Sequence, residues 1–210
     1  MITVHVHALR YLPNCDEGLA RALGAPPGYR SLGLITTDCD DATYIALDEA
    51  TKASQVEVLY GESFYAGAAN ASTPTAGEVL GILAGRTPGA VKSCMEEALR
   101  VLNRIGFQDV QGVPCLAYTV SSAGSFLSKE AGVPVGSALA YLIAPPLEAV
   151  YALDGALKAA DVKLQKFYGP PTKTNFGGGL LTGTQSACTM AGIAFLEAVN
   201  EVAERPRERK

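Results

Sequence analysis

The chain has 210 residues, of which 48% are hydrophobic, 18% charged and 7% aromatic, with no Trp. This is the composition of an ordinary globular protein, and it excludes collagen-like, disordered and coiled-coil classes. With 17 Lys and Arg against 21 Asp and Glu the formal charge is -4, which offers nucleic-acid phosphates no broad basic surface. Four of the basic residues, Arg205, Arg207, Arg209 and Lys210, fall in the last six positions and read as a solvated tail.

The start, Met1-Ile2-Thr3-Val4-His5-Val6, lacks a basic region followed by an apolar run, and no stretch reaches the ~18 apolar residues of a membrane span. A soluble intracellular protein, with neither nucleic acid nor membrane as partner, is therefore expected. His5 and His7 are the two histidines, and alternation puts them on one face of a first strand. With Cys15 they make a zinc site only if the following loop bends back; the simpler reading is two partly exposed strand histidines. The cysteines, Cys15, Cys39, Cys94, Cys115 and Cys188, are odd in number, widely spaced and without a CxxC pair. They read as reduced, mostly buried thiols.

Leu32-Gly33-Leu34-Ile35 is a short apolar run between turn residues, as in a buried strand. Asp38-Cys39-Asp40-Asp41 follows it directly, and these carboxylates fit three roles. They can cap the next helix, line a pocket for a cation, or hold Mg²⁺ for phosphoryl transfer through Asp38 and Asp40. In the last case Ala42 stands where a DxDxT pattern has Thr. Ala42 to Ala53 is an Ala-rich helical segment with Lys52 in its last turn, where a cation suits the helix dipole. Val56 to Tyr60 alternates as a half-exposed strand. Ala66 to Gly77 is a stretch of Gly, Ala, Ser, Thr and Pro that reads as a loop. Glu78 to Gly85 is a strand, and Pro88 to Leu102 a helix with Val91, Met95, Leu99 and Leu102 at helical spacing.

The second half repeats the first. Residues 46–58, ALDEATKASQVEV, match 152–164, ALDGALKAADVKL; residues 24–35, GAPPGYRSLGLI, match 132–143, GVPVGSALAYLI; and GILAG at 81–85 matches GLLTG at 179–183. The blocks occur in the same order. A period this long is a domain duplication, since solenoid repeats run about 20–50 residues. The chain thus divides into 1–106 and 107–210, each an α/β (α+β) unit of helices packed on a sheet, with a second loop from Gly169 to Gly179. The second copy carries Ala144-Pro145-Pro146-Leu147-Glu148 in place of the Asp cluster, so a site built on that cluster belongs to one half.

Catalytic motifs are missing: there is no GxxxxGK[ST], GxGxxG or GxSxG, and Ser63 in Gly-Glu-Ser-Phe-Tyr lacks the second Gly. A Mg²⁺-dependent phosphatase on Asp38 and Asp40 is the one enzymatic alternative.

Leu32-Gly33-Leu34-Ile35, Ala46-Leu47-Asp48 with Lys52-Ala53-Ser54-Gln55-Val56, and Gly89-Ala90-Val91-Lys92 resemble the shell proteins of bacterial microcompartments. Two copies in one chain resemble the tandem-domain, trimer-forming class. RSLGLI, YAGAAN, TPTAGEVL, AYLIAPPLEA and LTGTQSAC are similar to members from ethanolamine-utilisation compartments. The resemblance spans roughly residues 19–203. It implies two circularly permuted shell domains and a homotrimeric, pseudohexameric tile that packs beside other shell proteins, without enzymatic activity or cofactor. It further implies that Lys52 and Lys158 lie at tile edges, where long solvated side chains can bond a neighbour's carbonyls; read alone, they are equally well surface lysines suited to helix ends. The two Gly-rich loops would surround a gated central pore. Asp40, Asp41 and Glu78 would line a channel for a small amine such as ethanolamine, whose ammonium group carboxylates bind by charge-assisted hydrogen bonds. One departure is Gly85-Arg86-Thr87-Pro88, where single-domain relatives carry a Gly-Asp pair.

Overall fold

The computed structural model describes residues 1–64, 78–170 and 172–207, so the expected loop from Ala66 to Gly77 lies outside the described residues. The chain forms two compact units. The first comprises residues 3–106 together with 124–127, and the second comprises 1–2, 107–123 and 128–210.

In the first unit the elements are β1 (Val6–Leu12), α1 (Glu17–Ala22), β2 (Ser31–Thr37), α2 (Asp40–Ala53), β3 (Val56–Phe64), β4 (Glu78–Gly85) and α3 (Pro88–Leu102). The strands pair antiparallel in the order β1-β2-β4-β3. Helix α3 occupies the residues expected from its pattern because its start is chemically marked: Thr87 accepts from the Ala90 N–H at 3.2 Å, and Pro88 fills the first turn. Its buried stripe of Val91, Cys94, Met95, Ala98 and Leu102 faces the sheet. At Gly33 a Cβ would stand 2.7 Å from Met95, so the missing side chain is what lets α3 approach β2.

The second unit contains β5 (Gln108–Val110), β6 (Val113–Val120), α4 (Ser125–Ala131), β7 (Ala138–Ala144), α5 (Pro146–Ala159), β8 (Val162–Tyr168), β9 (Gly177–Gly183) and α6 (Gln185–Glu204). The first turn of α4 is counted with the first unit. Its sheet runs β5-β6-β7-β9-β8. Every residue of β7 is buried, which explains why its seven apolar residues show no alternation. Leu142, Leu153, Leu181, Cys188 and Phe195 form the centre of the core between this sheet and α5 and α6.

The glycines shared by the two copies have a backbone reason. Gly24 and Gly132 end α1 and α4 with φ of 75° and 66°, a left-handed conformation that side chains disfavour. One expectation is corrected: Gly177, Gly178 and Gly179 are not loop but the buried start of β9. Their lack of side chains serves close strand approach rather than mobility.

The outer strands share a further feature. The β3–β4 ladder shifts register between Val58 and Tyr60, and the β8–β9 ladder at the matching place, between Leu164 and Lys166. The β1–β2 ladder shifts between Val6 and Ala8, and β5 has only three residues. Exposed charges, Glu57 in β3 and Lys163 and Lys166 in β8, accompany these irregularities. Among the described residues no helix is long and apolar enough to cross a membrane.

Candidate functional site

The Asp cluster sits where β2 ends and α2 begins. Cys39 precedes the first turn of α2 and makes no side-chain cap bond, so neighbouring groups organise the turn. The Thr37 hydroxyl accepts from the Cys39 N–H at 3.1 Å and lies 2.7 Å from the Thr43 hydroxyl, and the Thr43 hydroxyl donates to the Cys39 carbonyl at 2.8 Å. Asp38 is tied to β1, accepting from the His5 N–H at 2.8 Å while its own N–H donates to the His5 carbonyl at 3.1 Å. The N-cap position itself carries no side-chain bond, but Asp40 and Asp41 stand in the first turn of α2, where negative charge suits the helix dipole, and Asp38 ties the end of β2 to the residue before β1.

Asp40 and Asp41 are both buried, at 5% and 7% exposure. One Asp40 oxygen accepts from the Asp41 N–H at 2.8 Å, and the other accepts from the Ser63 hydroxyl at 2.5 Å. Because Ser63 donates its single proton to Asp40, the Tyr44 hydroxyl that pairs with Ser63 is the donor in that contact. A directed chain from Tyr44 through Ser63 to Asp40 results. Burial raises the Asp40 carboxyl above the ordinary aspartate range, against the lowering effect of Ser63 and the backbone N–H bonds. Burial first, and the negative charge of Asp40 second, also raise the Tyr44 hydroxyl. The Cys39 thiol is pushed up by burial and then by the Asp41 charge, which leaves it a poor nucleophile.

Glu78 opens β4 and pairs in register with Phe64, while the next residue, Val79, pairs with Ser63 and Thr37. Side chains alternate along a strand, so Glu78 faces the side of the sheet opposite to Ser63. The structure thus gathers Asp40 and Asp41 with Ser63 and Tyr44, and puts Glu78 at the same end of the sheet on its other face. Lys52 and Lys158 occupy matching last turns of α2 and α5. Lys52 pairs with Glu49 and Lys158 with Asp154, both at 2.6 Å.

Sequence reading missed Tyr44 and Ser63 as partners of the cluster. Tyr44 stands one helical turn after Asp40, a spacing that could have revealed it; Ser63 comes from a distant strand. It also missed Asp48, which is buried and accepts from the N–H groups of Gly124 and Leu127 at 2.7 Å each. His5 and His7 are exposed, Cys15 is buried, and among the described residues no three His, Cys, Asp or Glu side chains are grouped to hold a metal. All five cysteines are free and buried.

The BMC domain family model matches residues 31–112, most of them in the first unit. The chain is 53% identical to the bacterial microcompartment shell protein EutL of Clostridium perfringens, over 98% of this chain and 97% of that protein. The crystal structure of the ethanolamine utilization protein EutL from Leptotrichia buccalis superposes with a TM-score of 0.93 at 55% identity, covering 99% of this chain and 98% of the other. A crystal structure of the trimeric shell protein PduB shares the fold at a TM-score of 0.79 and 21% identity, covering 95% and 89%. The chain belongs to the EutL family of bacterial microcompartment shell proteins. It is a structural shell component rather than an enzyme, and the phosphatase alternative falls with that assignment.

Proposed function

We propose that three copies of this chain form a flat, pseudohexameric shell tile whose two halves are each one shell domain, with 1–106 and 107–210 as their bounds. A central pore would be bordered by residues 66–77 and 169–176, and a smaller channel running past the end of the sheet, with Asp40 and Asp41 on one face and Glu78 on the other, would admit a protonated amine of the ethanolamine class. Lys52 and Lys158 would lie at edges between tiles and neighbouring shell proteins. The trimer is supported by the fold shared with trimeric PduB, and the amine by the ethanolamine utilization protein of such high similarity. The observation that carries the channel is a pair of adjacent buried carboxylates, one of them held in a directed hydroxyl chain. Desolvated negative charge is costly, and an ammonium ligand offsets that cost by charge-assisted hydrogen bonds.

The oligomer is expected to sediment at three times the 21.8 kDa of one chain and to form flat discs in electron micrographs; a monomer at micromolar concentration refutes it. For the channel, Asp40→Asn is expected to weaken ethanolamine binding about tenfold or more by calorimetry, with smaller losses for Asp41→Asn and Glu78→Gln. Equal titrations across all three variants and the parent chain overturn the assignment. The same variant has a signature without ligand. Because the folded Asp40 carboxyl titrates above its unfolded value, its favourable contribution is complete at pH below about 3.9 and is lost as pH rises through the raised folded value. Asp40→Asn should therefore melt higher than the parent at pH 7, with that advantage shrinking on acidification.

A further inference from the structure

The two copies correspond residue by residue through their backbone bonds. Gly24 N to Arg21 O and Ala25 N to Ala20 O after α1 match Gly132 N to Lys129 O and Val133 N to Ser128 O after α4, and Thr43 N to Cys39 O in α2 matches Ala149 N to Pro145 O in α5. Asp16, Gly18 and Leu19 are thereby equivalent to Gly124, Phe126 and Leu127, while Val150 and Leu153 are equivalent to Tyr44 and Leu47. Gly61 pairs with Gly81 in one sheet and Phe167 with Gly179 in the other, which makes Phe167 the equivalent of Gly61.

In the first unit this place is filled. Leu127 is 1% exposed, and the Phe126 ring covers Gly61, where a Cβ would stand 2.9 Å from the ring. In the second unit the equivalent place is bare: Val150 is 53% and Phe167 49% exposed, and Leu19, the equivalent of the buried Leu127, is 48% exposed on α1. The chemistry of the two places is exchanged side for side. Phe126 lies over Gly61, whereas the equivalent pair is Gly18 and Phe167, so one aromatic ring and one gap are present each time with their carriers swapped. The cap is exchanged as well. Gly124 has no side chain and Asp48 caps its helix, but Asp16 caps its own helix through the Leu19 N–H at 3.1 Å, and Asp154 pairs with Lys158 instead.

We infer that residues 16–19 of one copy dock on the α5–β8 face of a second copy, with Gly18 beneath Phe167 and Leu19 against Val150. The contact joins two different surfaces, so it is head to tail and repeats until the ring closes; it rests on the trimer proposed above and names its joint. Burying exposed Leu, Val and Phe supplies the driving force, and the absent side chain of Gly18 facing the Phe167 ring supplies the fit.

The test is a dilution series of the full chain by analytical ultracentrifugation, with circular dichroism to establish that each variant is folded. Gly18→Phe and Phe167→Gly are each expected to raise the trimer dissociation constant roughly tenfold or more, and the combined exchange to restore it to within about threefold of the parent, since it recreates the Phe126–Gly61 arrangement. Leu19→Asp, on the surface of α1 and harmless to the core, is expected to give monomers. If the parent is a trimer and these variants assemble equally well, or the combined exchange is no tighter than the weaker single, the docking is overturned while the trimer stands. A monomeric parent overturns both.

Discussion

Gly178→Ala is expected to abolish folding of the second unit at 25 °C. Gly178 has φ of 155°, and a Cβ there would stand 2.0 Å from the Leu142 carbonyl oxygen and 2.9 Å from the Ile143 Cα. Both are backbone atoms of β7, the strand that pairs directly with β9, so no rotamer change relieves the clash and the ladder itself must separate. Such a loss belongs with the exceptional single-residue effects above about 4 kcal/mol. Gly112→Ala is the informative comparison: its φ is 85° but nothing lies within 4 Å of an added Cβ, so only conformational strain of about 1 kcal/mol is expected. Thermal denaturation of the two variants decides the matter. A midpoint for Gly178→Ala within a few degrees of Gly112→Ala contradicts the close approach.

Asp48→Ala is expected to lower stability by about 2–3 kcal/mol, the cost of leaving two buried N–H groups without acceptors. The carboxylate accepts from the Gly124 and Leu127 N–H groups, and the neighbouring Thr51 hydroxyl accepts from Ser125 at 3.2 Å. Burial raises the Asp48 carboxyl despite those two bonds, so part of the loss is returned when a desolvated charge is removed. Hydrogen exchange locates the effect: the Leu127 amide should lose protection first. An unchanged melting midpoint together with a protected Leu127 amide would show that the segment is held by packing alone.

The repeat was plain in the sequence because its identities mark physical necessities. Gly24 with Gly132 and Gly28 with Gly136 are left-handed backbone positions, and neither copy can vary them cheaply. Helix α3 was readable to the residue because Thr87 and Pro88 announce its start. The short helices α1 and α4 were not, since six or seven residues carry too little periodicity. The Gly177-Gly178-Gly179 run was misread because composition cannot distinguish a glycine chosen for freedom from one chosen for thinness. At the site, Asp40 and Asp41 stood out as a local cluster. Their partner Ser63 was weighed only as a nucleophile, because its bond to Asp40 spans 23 residues of chain and exists only once β3 has folded beside α2. Asp48 appeared in the repeat as one identity among seven, and its counterpart Asp154 kept the residue while losing the role.

The irregular outer strands carry a consequence for life at high local concentration. A straight, unpaired strand is a template for fibre growth. Here the ladders of β1, β3 and β8 each shift register within the strand, β5 is three residues long, and β8 presents Lys163 and Lys166. Among the described residues each of these edges keeps at most about five residues in unbroken register. Such edges disfavour strand-to-strand pairing between neighbouring copies, which turns crowded molecules away from fibre growth.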